Sequence, residues 1–305
     1  MTGTLRLGTR GSPLALWQAN HVRGLLAQAE PGVAVELVLI ETEGDRVRDR
    51  ALSQMGGYGV FTKEIQAALL DGRADVAVHS LKDLPTLVTD GLSLAATPAR
   101  GPAGDAFVSR RFARLDDLPD GATVATSSLR RRSQLLHRRP GLKVADLRGN
   151  VETRLRKLEE LGLDGIVLAE AGLRRLGLEG HISESLDNGW MLPAVGQGAI
   201  GLECRVDDAR AREIVGKINH AETWRAATAE RAFLSALGGG CLVPIGALCE
   251  GDRLRGAVLP VDGSRRIGGE ETGGEPVELG RRLAEKLLAA GAGEVLGAMP
   301  GEPGA

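Results

Sequence analysis

The chain has 305 residues, more than one ordinary core holds, and this length predicts two or three domains. Hydrophobic residues make up 43% and charged residues 26%, as is typical of soluble globular proteins. A net charge of −2 creates no overall field that would attract nucleic acid, and no apolar run in the sequence is long enough to span a bilayer. Residues 1–10 lack the layout of a signal peptide, so we expect a cytoplasmic protein.

Short strand-like runs alternate with helical patterns, which predicts βαβ units and mostly parallel sheets. The first series predicts strands at 4–8, 33–40, 74–79 and 92–96, with helices at 13–29 and 62–70. The pattern restarts near Phe107, with strands at 123–126, 143–147 and 165–169 and helices at 129–137 and 151–161. Glycine and proline residues at 100–104 indicate a hinge between these two similar α/β units.

The last part of the chain has a different pattern. An amphipathic helix predicted at 224–237 ends at three glycines that are followed by Cys241. Strand-like segments and a further helix at 277–290 come next. This order of elements indicates a small third domain.

The turn after the first predicted strand combines capping residues with a cation. Ser12 suits the N-cap of the helix and Pro13 its first position, so helix capping alone explains both residues. Capping does not explain Arg10, since a guanidinium beside a helix N-terminus is typical of a carboxylate or phosphate site. The turn by itself leaves both interpretations open.

Two turns of the second α/β unit have the same design. One places three hydroxyls at 126–128 before Arg130 and Arg131, and the other carries Arg148 and Arg154 around a helix start. Capping serines and solvated surface arginines are the alternative explanation. Because open α/β sheets bind ligands beyond the carboxyl ends of their strands, these cations indicate a substrate with several carboxylates.

Asp83 follows a predicted buried strand and precedes Pro85. It could simply cap a turn. It shares its segment with Ser80 and Lys82, however, and a nearby cation favours the ionised carboxylate. Such a carboxylate can accept hydrogen bonds from ring N–H groups and stabilise a developing cation.

Cys241 follows a glycine run at the end of a predicted helix. A free cysteine is usually a small buried residue, but a mobile, accessible loop favours a nucleophilic or modified thiol. The three cysteines have no zinc-binding spacing, so we expect neither a metal site nor a disulfide framework.

Together these segments resemble the porphobilinogen deaminase (hydroxymethylbilane synthase) family. The motifs that carry the resemblance are HSLKDLP, TSSLRR, DLRGNVETRL, AVGQGA and GGGCLVP, in this order along nearly the whole chain. The resemblance implies an α/β fold with two periplasmic-binding-protein-like α/β domains and a small α+β C-terminal domain. We place these domains at 1–98 with 197–216, at 103–194 and at 220–305.

The resemblance also implies a monomeric transferase of tetrapyrrole (heme and porphyrin) biosynthesis. Such an enzyme joins four porphobilinogen molecules head to tail into hydroxymethylbilane and releases ammonia. Its cofactor would be a dipyrromethane attached to Cys241 by a thioether, and no metal would be needed. Asp83 would be the catalytic residue, because it matches the aspartate that binds pyrrole N–H groups and stabilises an electron-poor azafulvenium.

Further site residues follow from the same resemblance, since each pyrrole carries an acetate and a propionate. The implied cofactor-binding residues, besides Cys241, are Ser80, Lys82, Thr126, Ser127, Ser128, Arg130, Arg131, Arg148 and Gly149. The implied substrate-binding residues are Arg10, Ser12, Gln18, Arg148 and Arg154.

Two positions depart from the usual family pattern. Tyr58 stands where relatives commonly have a lysine, and the segment at 101–104 carries less charge than usual. The alternative function is a non-catalytic two-lobed protein that binds a small anion, because paired α/β lobes also suit solute receptors. A nucleic-acid binder using the arginines at 130–132 and 138–139 is disfavoured by the net charge and by an aromatic content of only 3%.

Overall fold

The computed structural model describes residues 3–46, 62–239 and 243–297. The chain divides into two compact units, one with Met1–Gly101 and Ala199–Arg225, the other with Pro102–Gly198 and Ala226–Ala305. Among the described residues, no helix has the length and apolar character that a membrane crossing requires. The predicted three-domain boundaries stay a prediction.

The elements are numbered here in chain order. The strands are β1 (Leu5–Thr9), β2 (Val35–Leu39), β3 (Val76–Ser80), β4 (Leu92–Ala96), β5 (Asp105–Val108), β6 (Thr123–Ala125), β7 (Lys143–Ala145), β8 (Gly165–Ala169), β9 (Glu184–Ser185), β10 (Ile200–Arg205), β11 (Ile245–Glu250), β12 (Arg253–Val258) and β13 (Ile267–Thr272). The helices are α1 (Pro13–Ala29), α2 (Glu43–Arg46), α3 (Lys63–Leu70), α4 (Leu129–Arg138), α5 (Val151–Glu160), α6 (Glu170–Arg175), α7 (Ala209–Gly216), α8 (Ala221–Ala236), α9 (Pro276–Ala289) and α10 (Ala292–Gly297).

The first unit is built on a five-stranded sheet with the order β2-β1-β3-β10-β4. β1 runs parallel to β2 and β3, whereas β10 is antiparallel to β3 and β4. All strands but β10 therefore run the same way, which confirms the prediction of a mostly parallel sheet. Because Gly8 pairs with Ala77, β1 and β3 end side by side at one edge of the sheet.

The core of the first unit explains why these segments form a sheet covered by helices. Leu5 and Leu7 alternate along β1 and are completely buried, and Val22 and Leu26 lie one turn apart on the buried face of α1. Each such side chain contributes about 1.5–3 kcal/mol when it leaves water. This packing fixes the position of the turn that connects β1 to α1.

The second unit contains a five-stranded sheet with the order β7-β6-β8-β5-β9. β6 is parallel to β7 and β8, and β5 is antiparallel to both of its neighbours. A side chain at Gly165 would bring its Cβ to 2.2 Å from the Phe107 ring, so this close approach of β8 and β5 requires glycine. The sheet thus has the same pattern as the first, with one reversed strand.

The second unit also contains the antiparallel sheet β11-β12-β13. Leu254 and Val258 of β12 lie in the core with Phe233 of α8 and Leu283 of α9. The alternate β12 residues lie on the opposite face of the sheet. This small sheet with its helices is the predicted α+β part of the fold, and the predicted α/β fold class is confirmed.

Several element boundaries differ from the predictions. α8 begins at Ala221 rather than at residue 224, and the short helices α6 and α7 have no counterpart among the predicted elements. Asp208 caps α7 by accepting a hydrogen bond from the backbone of Ala211. A helix of eight residues contains too few turns for a clear periodic signal, which explains why α7 was missed.

Candidate functional site

The Arg10 turn, residues 9–13, connects β1 to α1 in the first unit. The Ser12 hydroxyl accepts a hydrogen bond from the backbone N–H of Ala15 at 3.4 Å, and Pro13 is the first residue of the helix. These are the capping roles expected from the sequence. The Arg10 side chain is half-buried beside this helix N-terminus, where its charge and the backbone N–H groups together favour an anion.

The Asp83 turn, residues 80–84, follows β3 at the same sheet edge. Ser80 ends the strand, and residues Leu81–Asp83 form one turn of 3₁₀ helix whose first N–H donates to the carbonyl of Ala199 at 3.0 Å. Lys82 and Asp83 are both half-buried. The Asp83 carboxylate makes no hydrogen bond or ion pair with any residue in the described part of the chain, so it can accept hydrogen bonds from a ligand.

Gln18 links the two turns. Its amide Nε2 donates to the Ser80 hydroxyl at 2.8 Å, and that hydroxyl lies 3.2 Å from Gln18 Oε1. Gln18 is buried within α1, so this contact holds the end of β3 against the helix that carries Ser12. The structure therefore brings five predicted residues of the first unit to one sheet edge, namely Arg10, Ser12, Gln18, Ser80 and Asp83.

Sequence reasoning missed a polar network directly beneath the Asp83 turn. His79 Nε2 lies 3.0 Å from Glu203 Oε2, and Gln66 Nε2 donates to Glu203 Oε1 at 3.0 Å. All three side chains are buried. Partners of this kind reduce the cost of a buried carboxylate and fix the strand that leads into the turn. The available signal was a histidine in an otherwise apolar strand.

In the second unit, the hydroxyl turn, residues 126–128, connects β6 to α4. The Ser128 hydroxyl caps α4 by accepting from the backbone N–H of Arg131 at 3.4 Å. Ser127 Oγ donates to the carbonyl of Leu147 at 2.8 Å and accepts from the Leu147 N–H at 3.0 Å. This pair of bonds joins the hydroxyl turn to the chain that follows β7.

The Asp105 cluster consists of Asp105, Arg130, Arg131 and Gln197. Asp105 is completely buried and accepts hydrogen bonds from Arg130 Nη1 at 2.7 Å and Arg131 Nη2 at 2.8 Å. Burial alone would raise the pKa of Asp105, but the two guanidiniums outweigh it and hold that pKa well below its usual range. The two arginines are therefore buried ion-pair partners rather than solvated surface cations.

Arg130 and Arg131 differ in how many of their N–H groups already donate to an acceptor. Arg131 donates to Asp105, the Val167 carbonyl and Gln197, which leaves little capacity for a ligand. Arg130 donates through Nη1 only, and its buried Nε–H has no partner among the described residues. An orphaned buried N–H of a cation favours an added acceptor.

The Arg148 turn, residues 146–150, lies next to the hydroxyl turn because β7 pairs with β6. Gly149 has a φ of 120° and a Cβ there would lie 2.5 Å from Thr153, so only glycine fits. Asn150 caps α5, and Arg154 Nε donates to the Gly149 carbonyl at 2.8 Å. Arg148 and Arg154 are thus half-buried on either side of a second helix N-terminus in this unit.

Some predicted residues fall outside this description. Cys241 and the Tyr58 segment lie outside the described residues. The other two cysteines, Cys204 and Cys249, form no disulfide and are buried in the cores of the two units. Among the described residues, no group of three histidine, cysteine or acidic side chains is arranged to hold a metal ion.

Arg175 is a half-buried cation that sequence reasoning did not single out. Arg175, at the end of α6, donates through Nη2 to the carbonyl of Gly198 at 2.6 Å. Burial lowers the pKa of Arg175 to about 10. The only sequence signal was an arginine in a short helix after β8.

Two solved structures resemble this chain at low sequence identity. A periplasmic substrate-binding protein of an ABC transporter from Coxiella burnetii is 16% identical, with a TM-score of 0.47 over 75% of this chain and 97% of that one. A nutrient-binding protein from Burkholderia cenocepacia bound to methionine is also 16% identical, with a TM-score of 0.44 over 72% and 93%. At these scores we draw nothing about function from them.

Comparison with family profiles and with curated proteins identifies the family of this chain. Residues 5–213 match the family profile described as porphobilinogen deaminase, dipyromethane cofactor binding domain, and residues 224–289 match porphobilinogen deaminase, C-terminal domain. Porphobilinogen deaminases from two strains of Acidithiobacillus ferrooxidans are 51% identical over 97% of this chain and 98% of theirs. These matches confirm the resemblance carried by the motifs and do not favour the non-catalytic alternative. The chain therefore belongs to the porphobilinogen deaminase family.

Proposed function

We propose that this protein is a hydroxymethylbilane synthase, which condenses four porphobilinogen molecules into hydroxymethylbilane with release of ammonia. The observation that carries the proposal is the Asp83 carboxylate, half-buried at a sheet edge and without a hydrogen-bond partner among the described residues. In a chain of this family, such a carboxylate is the acceptor that a pyrrole N–H requires.

Asp83 has three roles in this proposal. It accepts hydrogen bonds from pyrrole N–H groups and so orients the ring, and it stabilises the positive charge that develops as ammonia leaves. An ionised carboxylate can also take up the proton that the ring loses after carbon–carbon bond formation. Lys82 lies next to Asp83 in the chain and adds a positive charge that suits the carboxylates of the ligand.

The polar groups of both units suit a ligand with several carboxylates. In the first unit, Arg10 and the N-terminus of α1 offer a charge and backbone donors. In the second unit, the hydroxyl turn offers the Ser128 O–H, and Arg130 offers a buried Nε–H with no partner among the described residues. Arg148 and Arg154 add two half-buried charges. Arg131 acts mainly as a positioning residue, since it holds Asp105.

The same groups fit the dipyrromethane named by the family profile, because that cofactor carries acetate and propionate groups. When bound, it supplies the pyrrole carbon to which substrate is added. Ser80, Lys82, Thr126 and Gly149 are proposed to contact it together with the serines and arginines of the second unit. These residues would bind the carboxylates of the cofactor and hold its rings in place.

Cys241 is the proposed attachment point. The other cysteines are poor candidates, since a thioether requires an accessible, ionisable thiol. Cys204 is completely buried, and burial raises its pKa to about 12. Cys249 is also buried, with its backbone N–H bonded to Glu230 at 3.0 Å.

The test combines the intact mass with a count of thiols. We expect purified protein to exceed its sequence mass by one dipyrromethane and to release two titratable thiols on denaturation, out of three cysteines. Cys241→Ser should lose the added mass and the turnover of porphobilinogen, while Cys249→Ala, as the matched control, should keep both. An unmodified chain that does not turn over porphobilinogen would contradict the proposal.

The remaining expectations about partners and location belong to the same proposal. We propose a monomer in the cytoplasm that binds porphobilinogen and neither nucleic acid nor membrane. Sedimentation of the purified protein at several concentrations tests the monomer, and a constant sedimentation coefficient is expected.

A further inference from the structure

The outer face of the small sheet β11-β12-β13 contains a pocket of about 480 Å³. It lies within the second unit and is bounded by Gly189 and Leu192 on one side and by β12 and β13 on the other. Arg253, Arg255 and Arg266 line it together with several glycines. None of these residues belongs to the site described above.

The charges in this pocket are unevenly paired. Arg253 Nε donates to Glu270 at 3.0 Å, and Arg255 Nη2 forms an ion pair with Glu250 at 2.8 Å. Arg266 donates only to the Trp190 carbonyl at 3.2 Å, and no described carboxylate lies within 4.0 Å of its guanidinium. Three guanidiniums and two carboxylates leave one positive charge without a counterion.

The position of Arg266 makes this imbalance costly. Its side chain is half-buried, and burial together with repulsion from Arg255 lowers the pKa of Arg266. An arginine nevertheless stays protonated near neutral pH, so its charge remains and favours an added anion. Arg255 lies on the neighbouring strand β12, where it pairs in register with Glu270 of β13, and it lines the same pocket as Arg266.

The floor of the pocket gives an anion room to approach. Gly268 is on the exposed face of β13, and a Cβ there would lie 3.4 Å from Arg266 Nε, in ordinary van der Waals contact. Without that side chain, a planar or tetrahedral oxyanion can lie against the guanidinium and the backbone. Guanidinium groups bind such anions through charge-assisted hydrogen bonds.

From this arrangement we propose a second anion site, in which Arg266 and Arg255 bind the phosphate or carboxylate group of a small metabolite. The site lies on the C-terminal sheet and is separate in sequence from the residues that match the family motifs. Phosphate and carboxylate share the chemistry that the two arginines recognise, so both are probes for it.

The test follows backbone amide signals of isotopically labelled full-length protein while inorganic phosphate is added. We expect saturable shifts at Gly256, Gly268 and Gly269, whose amides report on this pocket and not on the other arginine-rich turns. Arg266→Gln should weaken this response at least about 10-fold, as expected for one charge-assisted hydrogen-bond partner. The matched control is Arg265→Gln, because Arg265 is exposed and pairs with Glu294 outside the pocket; it should leave the response unchanged.

A second pair of variants tests the site even if Arg266→Gln does not fold. Gly268→Asp places a carboxylate beside Arg266 and should abolish the phosphate response, whereas Gly268→Ala, which adds only a methyl group, should weaken it less. The same titrations with succinate distinguish a carboxylate ligand from a phosphate ligand, and a saturable response to either supports the site. If neither anion shifts the three glycines, or if Arg266→Gln and Gly268→Asp respond like the native protein, there is no such site.

Discussion

Asp83 and Asp105 are both aspartates near cations in α/β units, but their surroundings are opposite. Asp83 is half-buried and accepts no hydrogen bond from a described residue. Asp105 is completely buried and bonded to Arg130, Arg131 and Gln197. The first carboxylate is available to a ligand, whereas the second is committed to the fold.

An arginine in a conspicuous motif can therefore serve the fold rather than contact substrate. The TSSLRR segment places Arg131 where a ligand contact would be expected, yet most of its donors bind groups of its own unit. Arg130 is intermediate, since one of its buried N–H groups has no partner among the described residues. Four measurements test whether the two aspartates differ in this way.

The largest effect is expected at Asp83. Asp83→Ala should lower turnover by about 10²–10⁴-fold, because it removes the group proposed to transfer a proton and stabilise the cation. The free energy of unfolding should change little, since Asp83 makes no hydrogen bond within the described chain. Steady-state kinetics and urea unfolding measure the two effects. Asp90→Ala, at an exposed carboxylate close by, is the control, and a normal rate for Asp83→Ala would remove Asp83 from the mechanism.

Asp105→Asn should mainly lower the free energy of unfolding. Removing one partner of a buried ion pair leaves two guanidiniums uncompensated, at a cost of about 3–5 kcal/mol in the free energy of unfolding. Because the pKa of Asp105 is lowered, its contribution is present at every pH above the ordinary value of 3.8 and is lost as the pH falls toward the native pKa. Asp116→Asn breaks an exposed pair with Arg138 and should cost at most about 1 kcal/mol. Equal costs for the two variants would refute the distinction.

Cys204 offers a test at alkaline pH within the first unit. Its native pKa of about 12 exceeds the ordinary 9.0, so above pH 9.0 the unfolded chain ionises first and the fold loses stability. The loss should approach about 1.4 kcal/mol per pH unit. Cys204→Ala lacks this thiol, so its unfolding free energy should converge on that of the native protein between pH 9 and 11. Parallel curves would show that the thiol does not titrate as described.

The smallest effects are expected at the two helix caps. Ser12→Ala and Ser128→Ala each remove a hydroxyl that accepts a backbone N–H at 3.4 Å, and each should cost about 1 kcal/mol of stability. Ser128→Ala should also lower the fraction of purified protein that carries the covalent cofactor, because its O–H belongs to the turn proposed to bind the cofactor while it is loaded. Thermal unfolding and intact mass measure the two effects. A Ser12→Ala variant with a lowered cofactor fraction and a Ser128→Ala variant with the native fraction would reverse the assignment.

Much of the fold was predictable because its signals are local. Ser12 and Pro13 mark the start of α1, and the alternation of buried leucines marks β1. The reversed strands were not predictable in the same way. β10 enters the first sheet between β3 and β4, and its pairing with Val76–Ser80 joins segments more than a hundred residues apart.

In the candidate site, too, local signals were predictable and contacts between distant segments were not. The motifs identified the polar residues of four turns, since each stands at the end of a strand, where open α/β sheets bind ligands. They did not reveal that Asp105 neutralises Arg130 and Arg131, because the pairing spans 25 residues and depends on β5 lying against β8. For the same reason, Glu203 beneath His79 had no sequence signal.

The double hydrogen bond between Ser127 and the backbone of Leu147 has a consequence for specificity. The hydroxyl takes the place of a strand residue and extends the β6–β7 ladder by one rung beyond the sheet. Alanine would lose both bonds and asparagine would lengthen the bridge, so the position tolerates few replacements. The two bonds thereby hold the hydroxyl turn and the Arg148 turn, both proposed to bind the ligand, at a spacing that depends on one side chain.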